Sequence, residues 1–285
     1  MGEKRFSLVV ATLGRVDELR ALFDSLASQG RNDFEVILVD QNADERLAPV
    51  VAAFAGRMDV MRLRFARPLL SAARNAGGAF ARGAIVGFPD DDCVYPAGVL
   101  DAVDAAFAGD PALGVLTGVA RAPEGGLGSG RWSAERGPIT LAKVWTQVIA
   151  FNLFLRRDVL ERIGGFDERL GVGVAHGSCE DTDLVIRALR AGAVGLYDPA
   201  LAVVHPDKRL TRVAVARAFR YAAGFGYVLR KHGYGVTAIL TYLMRPAGGM
   251  AVSLLRLRFL ACVYYWRTLC GRAYGYVTYN KSLDG

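Results

Sequence analysis

Ala84-Ile85-Val86-Gly87-Phe88-Pro89-Asp90-Asp91-Asp92-Cys93-Val94-Tyr95 is the stretch from which the fold is read. Its first residues form a short apolar run bounded by turn residues, the pattern of a buried strand. Three consecutive carboxylates stand where that strand should end. In an open α/β sheet, ligands sit in the crevice beyond the carboxyl ends of the strands. Three like charges side by side repel, so they need a cation, donor groups or open water. A divalent ion carrying a phosphorylated ligand satisfies the first option; a solvated acidic turn satisfies the last.

Working outward, strands and helices alternate. Before the stretch, Ser71 is placed to cap a helix of small residues, 72–81, closed by Gly83. Earlier still, strands are expected over 6–11, 35–39 and 58–65. Val16, Leu19, Leu22, Phe23 and Leu26 fall on one helical face between the first two. After the stretch, Pro96 opens a helix to Phe107, and 113–119 reads as a further strand. Such alternation predicts an α/β fold with a mainly parallel, Rossmann-like sheet and right-handed crossovers.

Gly125-Gly126-Leu127-Gly128-Ser129-Gly130 lacks the spacing of a dinucleotide-binding loop, because Arg131 stands where the last glycine belongs. It reads as a mobile loop, and an oxidoreductase loses its main support. A second acid cluster, Glu180-Asp181-Thr182-Asp183, leads into a helix over 184–191. Acids there complement the helix dipole and cap free N–H groups whatever else they do. Strand-like segments follow at 194–197 and 203–204, the latter ending in His205.

Taken together, the motifs resemble a known family. They are Ala11-Thr12, Asp40, Ser71-Ala72-Ala73-Arg74-Asn75-Ala76-Gly77, Phe88-Pro89-Asp90-Asp91-Asp92, Gly164-Gly165-Phe166-Asp167-Glu168 and Glu180-Asp181. Their order over roughly residues 5–206 is similar to that of inverting glycosyltransferases of family 2, with the GT-A fold. The resemblance implies a nucleotide-sugar donor (a UDP-sugar foremost, a GDP- or dTDP-sugar otherwise), a divalent metal, Mn2+ or Mg2+, and an acceptor hydroxyl. It assigns Asp40 to the nucleobase with Thr12 on the same floor, and Arg74 to the diphosphate or base. Asp91 joins the donor contacts, Asp90 meets the ribose or the metal, and Asp92 binds the metal. His205 is similar to the histidine that completes such metal sites. Asp181 matches the catalytic base, with Glu180 beside it on the acceptor side. Gln41-Asn42 departs from the pattern, since many members carry a second Asp and then Gly-Ser there.

Composition adds a boundary. Residues 208–285 carry thirteen Lys/Arg against the single acid Asp284, a net +12, which leaves −5 on residues 1–207 of a total of +7. We therefore expect a catalytic domain over 1–207 and a basic, apolar, helical region over 208–285. In the latter, Thr211 is expected to cap a helix to about His232. Apolar segments follow at 236–244 and 250–266, separated by a break at Pro246-Ala247-Gly248-Gly249. Each is read as too short to span a bilayer of about 30 Å. Arginines and aromatics among them suit a helix lying in an anionic membrane surface; packing on the catalytic domain or a homodimer interface would use the same residues. Positive charge interleaved with long apolar stretches fits lipid better than nucleic acid. No secretion signal opens the sequence, so the four cysteines are expected to be reduced, in a cytoplasmic protein peripheral to the inner membrane face. The expected role is glycan assembly at the cell envelope on a saccharide or lipid-linked acceptor. The rival is a catalytically silent nucleotide-sugar-binding scaffold of the same fold.

Overall fold

The computed structural model describes residues 4–128, 130–206 and 210–280. The chain separates into two compact units, Met1–Phe166 with Leu184–Asp207, and Asp167–Asp183 with Lys208–Gly285. The expected boundary at 207/208 falls on residues outside those described.

In the first unit the strands are β1 (Phe6–Thr12), β2 (Phe34–Asp40), β3 (Asp59–Arg64), β4 (Ile85–Gly87), β5 (Leu113–Arg121), β6 (Gly137–Pro138), β7 (Leu153–Arg156) and β8 (Val194–Val204). They form one sheet in the order β3-β2-β1-β4-β7-β5-β8-β6. Pairings among β1, β2, β3 and β4 are parallel, as is β5 with β8; β7 runs antiparallel to both β4 and β5. The helices are α1 (Asp17–Ala27), α2 (Ala48–Phe54), α3 (Leu70–Gly78), α4 (Val99–Gly109) and α5 (Arg157–Arg162). A sixth, α6 (Glu180–Arg190), crosses the division between the units.

Both faces of β1 and β2 are covered, which is why their sequences are nearly unbroken apolar runs. One face of the sheet presents Phe6, Leu8, Val10, Val36 and Leu38 to a core shared with Leu19, Leu22, Phe23 and Leu26 of α1. Each large side chain buried there contributes roughly 1.5–3 kcal/mol. The other face requires a thin helix. A β-carbon on Gly77 of α3 would lie 2.6 Å from Val9 Cγ1 and 2.7 Å from Val39 Cγ2. The small-residue composition of α3 follows from that close approach.

Several boundaries differ from the sequence reading, each for a local reason. Ser71 lies inside the first turn of α3, behind Leu69, rather than capping it. α4 begins at Val99, after Gly98 at φ +79°, so Pro96 precedes the helix instead of opening it. The second acid cluster is the first turn of α6 itself. β8 is one strand running through Pro199, not two. Gly125 and Gly126, both at positive φ, return the chain so that Leu127 pairs with Arg121; the described part of the glycine run is a turn on β5. Ser129 lies outside the described residues.

The second unit holds α7 (Arg212–Lys231), α8 (Val236–Leu255) and α9 (Phe259–Thr278). Thr211 Oγ1 accepts from Ala214 N at 3.1 Å, the expected cap. The break expected at Pro246 does not occur: α8 continues through it. It stops at Arg256, where Leu257 N–H donates to Leu254 O (3.0 Å) and Arg258 N–H to Ser253 O (2.8 Å). Those two bonds close the helix end as a left-handed turn usually built with glycine; here Leu257 occupies it at φ +53°. α8 is therefore long and apolar enough, by length and composition, to cross a membrane, which corrects the expectation that its segments are too short. α7 and α9 touch backbone to backbone. A β-carbon on Gly226 would lie 1.9 Å from Arg272 O, one on Gly271 2.2 Å from Phe219 O, and one on Gly275 1.8 Å from Ala223 O.

Candidate active site

The acid triplet stands beyond the carboxyl end of β4, where the next residues turn back toward β8. Val94 and Val204 exchange backbone hydrogen bonds of 2.9 and 3.0 Å, and His205 N–H donates to Arg121 O at 2.9 Å. These bonds fix His205 opposite the triplet, and the Phe151 ring stacks on its imidazole at 4.6 Å. Asp90, Asp92 and His205 thus converge, each offering one ligand atom, all within 4.8 Å of one another. His205 Nδ1 lies 2.8 Å from Pro206 O, so that nitrogen can donate there, and Nε2, which faces Asp92, would offer a cation its lone pair once deprotonated. Asp92 Oδ1 is buried, makes no well-formed hydrogen bond among the described residues, and has His205 Nε2 3.3 Å away. Two carboxylate oxygens and one imidazole nitrogen are a donor set that suits Mn2+ or Mg2+, so the residues fit the cation.

Arginines share the triplet's charge. Arg15 Nη1 pairs with Asp91 and, at 2.8 Å, with Asp92 Oδ2. Arg74 Nη2 donates to Asp90 Oδ1 at 2.7 Å. Burial pushes the Asp91 carboxyl above its ordinary value in spite of Arg15. Burial acts the same way on Asp92, but His205 and Arg15 outweigh it and hold that carboxyl below the usual range.

Arg74 is itself buried, its guanidinium 5.4 Å from the centre of the Phe166 ring. Next to it, Asn75 Nδ2 donates to Phe166 O (2.9 Å) and Asn75 Oδ1 accepts from Phe166 N–H (2.7 Å). The Ser71–Gly77 motif and the Gly164-Gly165-Phe166 turn are thereby one piece of structure. Arg187 Nη1 and Nη2 close the turn from α6, donating to Ile163 O and Gly165 O at 2.7 Å each.

Thr12 and Asp40 end β1 and β2 in matching register, both buried. The Asp40 carboxylate is fully enclosed. It accepts from Asn42 N (2.9 Å), Asn42 Nδ2 (2.8 Å), Arg62 Nη2 (2.6 Å) and Arg64 Nη1 (2.9 Å). Burial raises its pKa, yet Asn42 and Arg62 together hold it below the ordinary range. Asn42, the departure from the family pattern, is thus the residue that shapes this corner.

The second acid cluster belongs to the other unit. Cys179 takes φ +66° and its carbonyl accepts the Asp183 N–H at 2.9 Å, starting α6. Asp181 Oδ1 accepts from Thr182 N–H at 2.7 Å. Asp183 is wholly buried, with Lys231 Nζ and His232 Nε2 each 2.8 Å from its Oδ1. Lys231 also reaches Asp167 Oδ2 at 2.6 Å. The sequence reading missed Arg15, Arg62, Arg64, Lys231 and His232; the only signal for the last two was a basic pair ending the predicted α7. Burial pushes the Cys93 thiol well up and the Cys179 thiol up to about 12.

Comparison with known proteins bears on the family and the fold. The sequence model of Glycosyl transferase family 2 matches residues 7–164. Among curated proteins, the probable glycosyltransferase YdaM of Bacillus subtilis (strain 168) is 23% identical over 223 residues, 70% of this chain and 50% of that protein. The chain thus spans about half the length of that relative. Among solved structures, the mannosyltransferase PcManGT of Pyrobaculum calidifontis, in complex with GDP-Man and Mn2+, superposes with TM-score 0.68 at 19% identity, over 96% of this chain and 85% of that one. S. aureus TarS 1-349 gives TM-score 0.62 at 18% identity, over 93% and 90%. At such identities the two structures share the fold, which is GT-A. The match to more than half of the sequence places this chain in glycosyl transferase family 2.

Proposed function

We propose that the protein is an inverting, metal-dependent glycosyltransferase that moves a sugar from a nucleotide-sugar donor, UDP-, GDP- or dTDP-linked, to an acceptor hydroxyl. The observation that carries this reading is the convergence of Asp90, Asp92 and His205 beyond the sheet's carboxyl edge. A Mn2+ or Mg2+ ion held there would supply charge stabilisation for the departing nucleoside diphosphate. Asp92 and His205 would hold the ion, and Asp90 would meet the ion or the ribose. Arg74 lies against the diphosphate or base, with Asp91 among the donor contacts. Thr12 and Asp40 line the nucleobase corner, Asp40 acting through the polar frame of Asn42, Arg62 and Arg64.

Asp181 takes the proton from the acceptor hydroxyl as it attacks, and Glu180 orients the acceptor. Such a base is worth typically about 10²–10⁴-fold in rate. Single displacement inverts the anomeric centre and requires no protein nucleophile, consistent with the protonated state of Cys93 and Cys179. We read 1–207 as the catalytic domain and 208–285 as the region that holds the enzyme to the cytoplasmic face of an anionic membrane, next to a saccharide or lipid-linked acceptor used in envelope glycan assembly. The exposed side chains of Leu255, Leu257 and Phe259 beside Arg256 and Arg258 support that attachment.

The test is a panel of nucleotide sugars with Mn2+ or Mg2+, scored by nucleotide release and by thermal shift. Release with one donor establishes the transferase. A shift without release, with every donor and acceptor tried, would leave the silent scaffold as the reading.

A further inference from the structure

We infer that Lys231 and His232, at the carboxyl end of α7, are positioning residues for the turn of α6 that carries Glu180 and Asp181. This rests on the reading of Asp181 as the base. Asp183 is a carboxylate with no exposed surface, two residues past Asp181. Its Oδ1 takes both the Lys231 ammonium and the His232 ring at 2.8 Å. Lys231 Nζ bridges onward to Asp167 Oδ2 at 2.6 Å, and Arg169 holds the same carboxylate through Nε–Oδ1 (2.8 Å) and Nη2–Oδ2 (2.7 Å). One ammonium therefore ties the acid after the Gly-Gly-Phe turn to the acid behind the base.

A separate set of contacts fastens the residues just before α6 to the same helix. Gly177 N–H donates to Arg220 O at 2.9 Å, and Ser178 Oγ donates to Tyr221 O at 2.6 Å. A β-carbon on Gly224 would lie 2.1 Å from Ser178 O, so α7 presents bare backbone where this segment crosses it. The segment 177–183 is thus tied to α7 and the residue after it at both ends, at Gly177 and Ser178 by contacts with the α7 backbone and at Asp183 by the ionic clamp. A cation at a helix carboxyl end and an anion at a helix amino end are each favoured by the helix dipoles, which gives the pairing its direction. Deleting the ammonium leaves a buried carboxylate short of a cation, and the turn must shift to let water in. A displacement of about 1 Å at a catalytic group costs on the order of 10²-fold in rate.

The experiment uses the full chain with Lys231→Met, Lys231→Arg, Asp183→Asn, and the double variant Lys231→Met/Asp183→Asn. Hydrogen exchange is followed over 176–184, with β1 as the internal reference. Nucleotide release is measured with the donor panel, and binding of UDP or GDP with Mn2+ alongside. Lys231→Met should speed exchange over 176–184 about tenfold or more, leave β1 protected, and lower kcat on the order of 10²-fold. Nucleotide affinity should stay within about twofold, and Lys231→Arg should recover most of kcat. If Lys231 acts through Asp183, the double variant is no slower than Lys231→Met alone. Because it buries no lone charge, it also serves if Lys231→Met folds poorly. Wild-type exchange and kcat in Lys231→Met, with Asp181→Asn inactive, would overturn this inference while sparing the base. Near-normal turnover in Asp181→Asn would overturn the base instead, whatever the exchange data show.

Discussion

The protein carries two clusters of acids, and they are neutralised in opposite ways. At the end of β4 the partners include Arg15, whose side chain is 41% exposed and reaches Asp91 and Asp92 from a loop. In the first turn of α6 the partners of Asp183 are Lys231 and His232, whose side chains are 10% and 3% exposed. An exposed guanidinium can swing away at little cost and leave its carboxylates to another cation. A buried ammonium between two buried carboxylates cannot leave without stranding them. Asp91 and Asp92 thus have an exchangeable counter-ion, whereas Asp183, like Asp90 with its buried Arg74, has a fixed one, and burial makes the difference.

The sharpest way to break that contrast is at the exchangeable site. Asp92→Ala should abolish transfer and remove the Mn2+-dependent tightening of nucleotide binding, read by titration with and without metal. Full activity in excess chelator would refute the metal role. Next in size is Asp181→Asn, nearly isosteric: donor binding should survive while kcat falls by roughly two to four orders of magnitude. Glu180→Gln should hurt less, and mainly through the acceptor KM.

A smaller effect is expected at the tip between α8 and α9. Arg256→Glu with Arg258→Glu should lower affinity for anionic vesicles, read by sedimentation, by at least about thirtyfold, since each basic residue there contributes about 1 kcal/mol. Turnover on a soluble acceptor mimic should be unaffected. Protein that resists extraction by high salt and carbonate would show instead that α8 spans the bilayer.

The smallest effect is a pH dependence of stability. Burial alone would raise Glu35, Asp40 and Asp167. Arg82 and Ser7, Asn42 and Arg62, and Arg169 and Lys231, respectively, hold them below the ordinary range. A carboxyl whose folded pKa lies below its unfolded value of about 4 stabilises the fold above that pH. The contribution is lost as pH falls through the folded values. The contribution of these carboxylates to Tm should therefore decline below about pH 4, and Lys231→Met should flatten that decline.

How far the sequence could be read depended on whether a signal was local. The Thr211 cap and the apolar runs of β1 and β2 are set by neighbours in the chain, and they stand where the pattern put them to within a residue or so. Two errors arose where a residue broke its own rule. Pro246 removes a helix donor and normally ends a helix, yet α8 runs on; Leu257 takes a turn that glycine usually takes, so the true end carried no mark. β7 was missed because Leu153–Arg156 pairs with strands far away in the sequence. In the candidate site the acids and His205 were legible as motifs. Their counter-ions were not: Arg15 and Arg74 find their acids 76 and 16 residues on, and Arg62 finds Asp40 22 residues back. A lone arginine does not announce a partner that the fold has yet to deliver.

Backbone packed on backbone at Gly226, Gly271 and Gly275 also sets an order of events during synthesis. α7 gains its close backbone partner only when α9 has been made, and α9 is translated after everything α7 braces. While α9 is still inside the ribosome, the turn bearing Glu180 and Asp181 rests on a helix that lacks that partner. A nascent chain can assemble its sheet and gather Asp90, Asp92 and His205 well before then. On the reading of Asp181 as the base, a chain stalled before α9 can gather the candidate cation site while its base rests on a helix that still lacks its partner.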